Sequence, residues 1–255
     1  VPALLKRSQR VIMVYDEGKT KLIKYPQKMF SKPFVDYIDI AFPVVHGTNV
    51  EDGTLQGFLQ MHNIPYVGCD VMSSAVGMDK YVMKTVLKDN GIPVLDCKVY
   101  TSFDYNNSPE KMVSDVEEAF EYPVIVKPIN LGSSVGIKRA SNREQLEEAL
   151  ELGFSFSTKV LIEPCVVDLR EINCAVLGDS ESAQASECEE PLNGDEILSY
   201  EDKYMGSSSS KGMSGLSRQL PAKITPQQRE QIREMAVKTF KCLGCSGVSR
   251  IDFMM

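Results

Sequence analysis

The segment Pro123-Val-Ile-Val-Lys-Pro-Ile-Asn-Leu-Gly-Ser-Ser-Val-Gly136 carries the strongest local signal in the chain. Its β-branched run, Val124-Ile125-Val126, reads as a buried strand that delivers one ammonium group, Lys127, at its end, where Pro128 stops it. A second alternating run starts at Ile137. Between the two lies a loop of small residues, Gly132, Ser133, Ser134 and Gly136. Backbone N–H groups and hydroxyls in such a loop can converge on an anion such as phosphate. A hairpin whose glycines serve only the turn fits the same residues, and taken alone the loop favours that plainer reading. It is not a Walker A loop, because the Gly-Lys-Ser/Thr ending and the helix directly after it are missing.

Composition narrows the choice. A chain of 255 residues has room for two domains or three small ones. A net charge of −7 with no block of lysine and arginine argues against a nucleic-acid partner, while a small anion needs only a local positive cluster. Seven cysteines, an odd number without a framework, suit a reducing cytosol. Cys242 and Cys245 form a C-x-x-C, but no second pair or nearby histidine completes a zinc site, and packing explains them. No apolar run is long enough to cross a bilayer and no signal-peptide pattern stands out. The chain starts at Val1 and stops at Met255 inside an apolar run, so the sequence reads as a fragment of a longer protein.

Outward from the opening segment, Val11–Tyr15 and Leu22–Tyr25 read as short strands. The apolar run from Tyr37 to Val45 reads as a central parallel strand. At its end stands His46-Gly47-Thr48-Asn49-Val50-Glu51-Asp52-Gly53-Thr54, then a helix through Met61. Polar residues after a strand of an α/β sheet lie where ligands bind; a strand–helix turn capped by Asp52 or Thr54 is the plain alternative. Ile64–Gly68 reads as a further strand, with a domain boundary near Asp70. Met78-Asp79-Lys80 opens a helix that Asn90-Gly91 closes; Lys80 and Lys84 read as ordinary surface lysines of it. Val94–Tyr100 reads as a strand, Ser108-Pro109 as a helix start, and Ser141-x-x-Glu144 as a capping box. Lys159–Ile162 reads as a strand ending at Glu163-Pro164, and Glu171–Leu177 as another.

Tyr200–Tyr204 precedes a serine–glycine tract, 206–215, which is either a linker or a lid that orders over a site. Thr225-Pro226-x-Gln228 caps the last helix. The final run, Val248–Phe253, puts Arg250 and Asp252 on one strand face. That pair reads either as a structural ion pair or as an arginine for an anion beside a carboxylate for Mg²⁺.

Together these pieces resemble the D-alanine–D-alanine ligases of the ATP-grasp superfamily. The resemblance rests on His46–Gly57, Met78-Asp79-Lys80, Val126-Lys127-Pro128 with Gly132–Gly136, Asp202-Lys203-Tyr204, and Gly244–Gly247 with Arg250-Ile251-Asp252. It runs in order from about residue 36. The fold it implies is α/β plus α+β: a truncated N-terminal α/β (pre-ATP-grasp) domain over 1–70, then an ATP-grasp fold of two α+β lobes. The central lobe covers 71–164; the C-terminal lobe, with its lid loop, covers 165–255.

The same resemblance implies ATP and Mg²⁺ (or Mn²⁺) as cofactors. Lys80 and Lys127 would then contact phosphates, with Gly132, Ser133 and Ser134 closing over them. Glu163 to Val166 would meet the adenine and Glu171 the ribose. Lys203 and Tyr204 would belong to the lid, Tyr204 and Ser133 completing the active site. Arg250 would stabilise an oxyanion, Asp252 would ligate the metal, and His46 and Glu51 would lie near the first D-alanine. The implied reaction joins two D-alanines through an acyl phosphate, for peptidoglycan synthesis in a bacterial cytoplasm; D-serine or D-lactate as second substrate, or a non-catalytic nucleotide-binding remnant, are the rivals. The family also implies a homodimer, which nothing in the sequence shows.

Two departures stand out. The family has glycine where this chain has Val50, which bears on the loop if that position needs positive φ. Glu163 and Glu171 are one residue further apart than the family pattern. The glutamate loop upstream and the Glu-x-Asn pair downstream are absent from the sequence, so this chain by itself reads as weakly active or inactive.

Overall fold

Strand β5 (Val124–Pro128) sits inside a four-stranded antiparallel sheet of order β4-β7-β5-β6, beside β4 (Lys98–Thr101), β6 (Lys138–Ala140) and β7 (Lys159–Pro164). The structure is a computed structural model and describes residues 6–27, 29–30, 32–132, 134–192 and 217–255. Alternation decides which face of this sheet is covered. Val124, Val126, Val160 and Ile162 are fully buried in one core with Met112, Val116, Leu146 and Leu150. Each such side chain contributes about 1.5–3 kcal/mol by leaving water. Those partners come from two helices, Pro109–Ala119 and Arg143–Phe156. Residues of opposite parity, Ile125 and Lys127 on β5 and Leu161 and Glu163 on β7, therefore point to the other face. The register aligns Ile125 with Glu163 and Lys127 with Leu161.

A second antiparallel sheet has the order β10-β9-β8-β11, built from β8 (Glu171–Gly178), β9 (Ala183–Leu192), β10 (Ser217–Gln219) and β11 (Gly247–Met254). Helix Pro226–Cys242 covers one face, where Ile232, Ala236 and Phe240 meet Ile172, Cys174, Val176 and Cys188. On β11 the odd-numbered Ile251 and Phe253 join that core, so Arg250 and Asp252 occupy the opposite, uncovered face. Thr225 and Gln228 form a reciprocal capping box at the start of this helix, as the sequence indicates.

The N-terminal part differs from the sequence expectation. Strands β1 (Val11–Asp16), β2 (Lys19–Lys24) and β3 (Phe34–Ile38) make a three-stranded antiparallel sheet. The run read as a central parallel strand from Tyr37 to Val45 is strand only to Ile38, at a sheet edge. Beyond it one parallel bridge joins Ala41 to Tyr66, which is also all that remains of the strand read at Ile64–Gly68. Ile40, Phe42, Val44 and Val45 are exposed, so apolar content here does not signal burial. Thr20, itself buried, donates to the His62 carbonyl and ties this sheet to the helix Thr54–Met61.

Smaller corrections concern element starts. Strand β4 begins at Lys98 rather than Val94. Helix Arg143–Phe156 is capped one residue later than read: Asn142 accepts from Gln145 N–H, and Gln145 Oε1 accepts from Ser141 N–H. Ser108 does precede a helix with proline at its first position, but its side chain makes no cap bond.

The first and last described regions also meet. Ser246 Oγ donates to the Gly68 carbonyl at 2.8 Å, and Cys69 Sγ lies 3.1 Å from Ser249 Oγ. Gly247, at φ +69°, allows this approach: a Cβ there would stand 2.9 Å from Gly68 N. All seven cysteines are free.

Candidate functional site

Lys127 and Glu163 leave the second face of the first sheet at diagonal positions, close enough to pair across the strands. The Lys127 ammonium donates to Glu163 Oε1 at 2.5 Å. The other oxygen, Oε2, accepts from Lys84 Nζ, which also donates to the Leu95 carbonyl at 2.7 Å. Glu163 is 1% exposed, and the two lysine side chains only 14–15%. Lys84 is therefore not the surface lysine that the sequence suggested; it is half of a buried bridge. Burial pushes the Glu163 carboxyl up, but the two ammonium groups prevail and hold it below its ordinary value.

Lys80 completes the group. The helix Lys80–Asp89 starts here because Asp79 caps it, accepting from the N–H groups of Tyr81 and Val82. Its first residue is thereby set against the end of β5, where Lys80 N–H donates to the Ile129 carbonyl. Lys80 Nζ donates to the carbonyls of Pro128 (3.1 Å) and Leu131 (2.6 Å), at the start of the glycine–serine loop. Burial first, and the neighbouring Lys127 second, lower its pKa to about 8. Three ammonium groups thus gather around one buried carboxylate that pairs with two of them, leaving a net positive pocket beside a loop of small residues. Such a pocket attracts a polyphosphate.

In that loop Gly132 and Ser134 are half-buried, with Ser134 at φ +61°. Gly136 has a packing duty as well: at φ +69°, a Cβ there would stand 2.8 Å from both Phe156 and Pro128. Ser133, Lys203, Tyr204 and the tract 206–215 lie outside the described residues. Val166 is half-buried just after β7.

A second polar group stands on the uncovered face of the other sheet. Arg250 and Asp252 clasp each other in a two-pronged pair, Nε to Oδ1 at 2.7 Å and Nη2 to Oδ2 at 2.8 Å. The hydrogen bond to Asp252 raises the Arg250 pKa further. Register places Asp252 opposite Asn173 and Met254 opposite Glu171. With its amide nitrogen turned toward them, Asn173 donates to Asp252 Oδ1 (2.9 Å) and to Glu171 Oε1 (3.0 Å). Asn173, which the sequence reading missed, is thus the link between two residues it did single out. Its signal was the alternation along β8, which puts 171 and 173 on one face.

The third group lies in the N-terminal part. His46 Nδ1 is 3.7 Å from Glu51 Oε1, and the Gly47 N–H donates to Glu51 Oε2 at 2.5 Å. Asp52 accepts from the N–H groups of Asn49 and Thr54. Left-handed φ falls on Gly47, Asn49 and Gly53 and not on Val50, so valine costs this loop no backbone strain.

Among the described residues no three His, Cys, Asp or Glu side chains converge as a ready-made metal cluster. Magnesium held mainly by phosphates and water needs only one or two protein carboxylates. Asp252, with Glu171 tied to it through Asn173, is a donor set of that kind. Nor is any described helix long and apolar enough to cross a membrane.

Comparison with known proteins agrees over nearly the whole chain. Residues 5–69 match the family model described as D-ala D-ala ligase N-terminus, and residues 86–255 match D-ala D-ala ligase C-terminus. A D-alanine–D-alanine ligase of Acetivibrio thermocellus is 44% identical over 218 residues, which is 86% of this chain and 56% of that protein. One from Caldicellulosiruptor bescii is 40% identical over 240 residues, 94% of this chain and 63% of that protein. The chain thus spans 56–63% of the length of these two curated relatives. Among solved structures, a D-Ala:D-Ser ligase from Enterococcus faecalis superposes with a TM-score of 0.77 at 30% identity, covering 96% of this chain and 65% of its own. The D-alanine–D-alanine ligase from Coxiella burnetii gives 0.74 at 29% identity, covering 99% and 63%.

Proposed function

This chain belongs to the D-alanine–D-alanine ligase family, and from that premise we propose that it binds ATP for the joining of two D-alanines in peptidoglycan precursor synthesis, in the cytoplasm. One observation carries the reading: Lys84 and Lys127 share a single buried carboxylate, Glu163, while a third buried ammonium, Lys80, is held by the carbonyls of Pro128 and Leu131 beside the glycine–serine loop. A pocket with that charge excess is built for a polyphosphate.

In the proposed reaction the carboxylate of the first D-alanine attacks the γ-phosphate of ATP, breaking its bond to the bridging oxygen so that ADP leaves and an acyl phosphate forms. The amine of the second then displaces phosphate and forms the peptide bond. Phosphoryl transfer asks for positioning and charge neutralisation, the work we assign to Lys80, Lys127 and the loop with Gly132, Ser133 and Ser134. Arg250 holds the negative oxygen of the tetrahedral intermediate. Glu163 to Val166 and Glu171 hold the nucleoside, His46 and Glu51 the first D-alanine, and Lys203 and Tyr204 belong to the cover of the site. Mg²⁺ (or Mn²⁺), when bound, neutralises phosphate oxygens, and Asp252 would hold it. The division at residues 70 and 164 is supported by sheet membership, since each sheet is drawn from one of the three parts. The possible homodimer is a family expectation and forms no step of this proposal.

Calorimetric titration with ATP tests the core of this reading. Lys127→Ala should bind ATP at least about tenfold more weakly than the parent, the scale of a lost charge-assisted contact. Equal affinity in the two would remove the nucleotide assignment. Incubation with Mg-ATP and D-alanine, D-serine or D-lactate, with products identified by mass, then decides the second substrate. The curated relatives above, both named for D-alanine, favour D-alanine.

A further inference from the structure

One buried carboxylate with two ammonium partners poses a question of allocation. Lys127 has two claims on its charge: Glu163, 2.5 Å away, and the phosphate that the preceding reading assigns to it. A fully buried carboxylate with a single partner would hold that partner tightly, because neither charge has water to turn to. Lys84 changes this. It comes from a different element, the helix Lys80–Asp89, and occupies the second oxygen of Glu163. It is anchored from behind by the Leu95 carbonyl at 2.7 Å, and its side chain is 14% exposed. It therefore approaches the carboxylate from a fixed direction and has no spare reach toward the loop.

We propose that Lys84 is a positioning residue for the nucleotide: by carrying half of the Glu163 charge, it leaves Lys127 free to serve phosphate. This rests on the reading that ATP binds here. Without Lys84, Glu163 has one counter-ion, and Lys127 is drawn back from the phosphates to serve it. The adenosine end of the nucleotide loses nothing by that retreat, so the defect falls on the phosphate tail. Lys84→Arg keeps the charge and the partner, and preserves the arrangement.

The test is the preference of the full chain for ATP over AMP, taken as the ratio of the two Kd values by calorimetry. A merely structural role for Lys84 would weaken both nucleotides together and leave the ratio alone. In Lys84→Met the ratio should fall by about tenfold, and in Lys84→Arg it should stay within about threefold of the parent. The double variant Lys84→Met/Glu163→Gln has no uncompensated carboxylate, so Lys127 is released and the ratio should return toward the parent value. An unchanged ratio in Lys84→Met overturns the proposal, as does a ratio that stays low in the double variant. If Lys84→Met does not fold, Lys84→Gln, which also removes the charge, takes its place: a lowered ratio there supports the proposal and an unchanged one ends it. A parent that shows no preference for ATP over AMP would instead bring down the reading of the site itself.

Discussion

Lys80 is the residue through which pH reaches this site. Its ammonium is buried beside Lys127, and its pKa falls to about 8 from an ordinary 10.5. For the free protein the sign follows from linkage. Keeping this group charged costs the folded state in full below about pH 8, and the cost fades as pH rises toward the unfolded value of 10.5. Phosphate does the reverse, since it favours the protonated form. ATP affinity should therefore drop by about tenfold between about pH 7 and about pH 9, as binding has to recruit a proton. Lys80→Arg does not titrate in that range and should flatten the profile, so a parent profile already flat over this interval would refute the assignment. Lys80 and Lys127 were legible in the sequence through the motifs around them. Lys84 was not: its place on the polar side of a helix looks like solvent, and only the folded chain brings Glu163, 79 residues further on, to it.

At the level of elements, what the sequence conveyed well were places where a local rule acts alone. A helix opens at Met78-Asp79-Lys80 as read, Thr225 caps its helix as its spacing indicates, and Arg250 and Asp252 share a strand face because alternation is strict. The run from Tyr37 to Val45 misled because apolar character was taken for burial, whereas partners in space decide whether an apolar run becomes a central strand. The Gly132–Gly136 loop shows the same division. Gly132 has nothing within 4 Å of an added Cβ, while Gly136 is wedged against Phe156 and Pro128 in a left-handed conformation. Gly136→Ala should lower unfolding stability by about 2 kcal/mol through strain and overpacking, and Gly132→Ala should change it by less than about 0.5 kcal/mol. Urea unfolding of the two variants checks this, and equal midpoints would show that Gly136 serves only the turn.

Across the described residues, the junction of residues 68–69 with 246–249 ties the N-terminal part to the last sheet. Its backbones approach so closely that Gly247→Ala must move Gly68 or itself. The expected cost is about 2 kcal/mol or more, from the left-handed φ and the clash together. Its mark should be faster tryptic cleavage at Lys19, Lys21 and Lys24, with the helix-backed sheet of β8 to β11 left resistant. Cleavage unchanged from the parent would mean that the N-terminal part is held by other contacts. The hydrogen bond from Ser246 to Gly68 spans 178 positions along the chain, and this has a meaning for biosynthesis. A ribosome makes residue 68 long before residue 246, so the segment around Gly68 stays undocked from its partner until Ser246 has emerged.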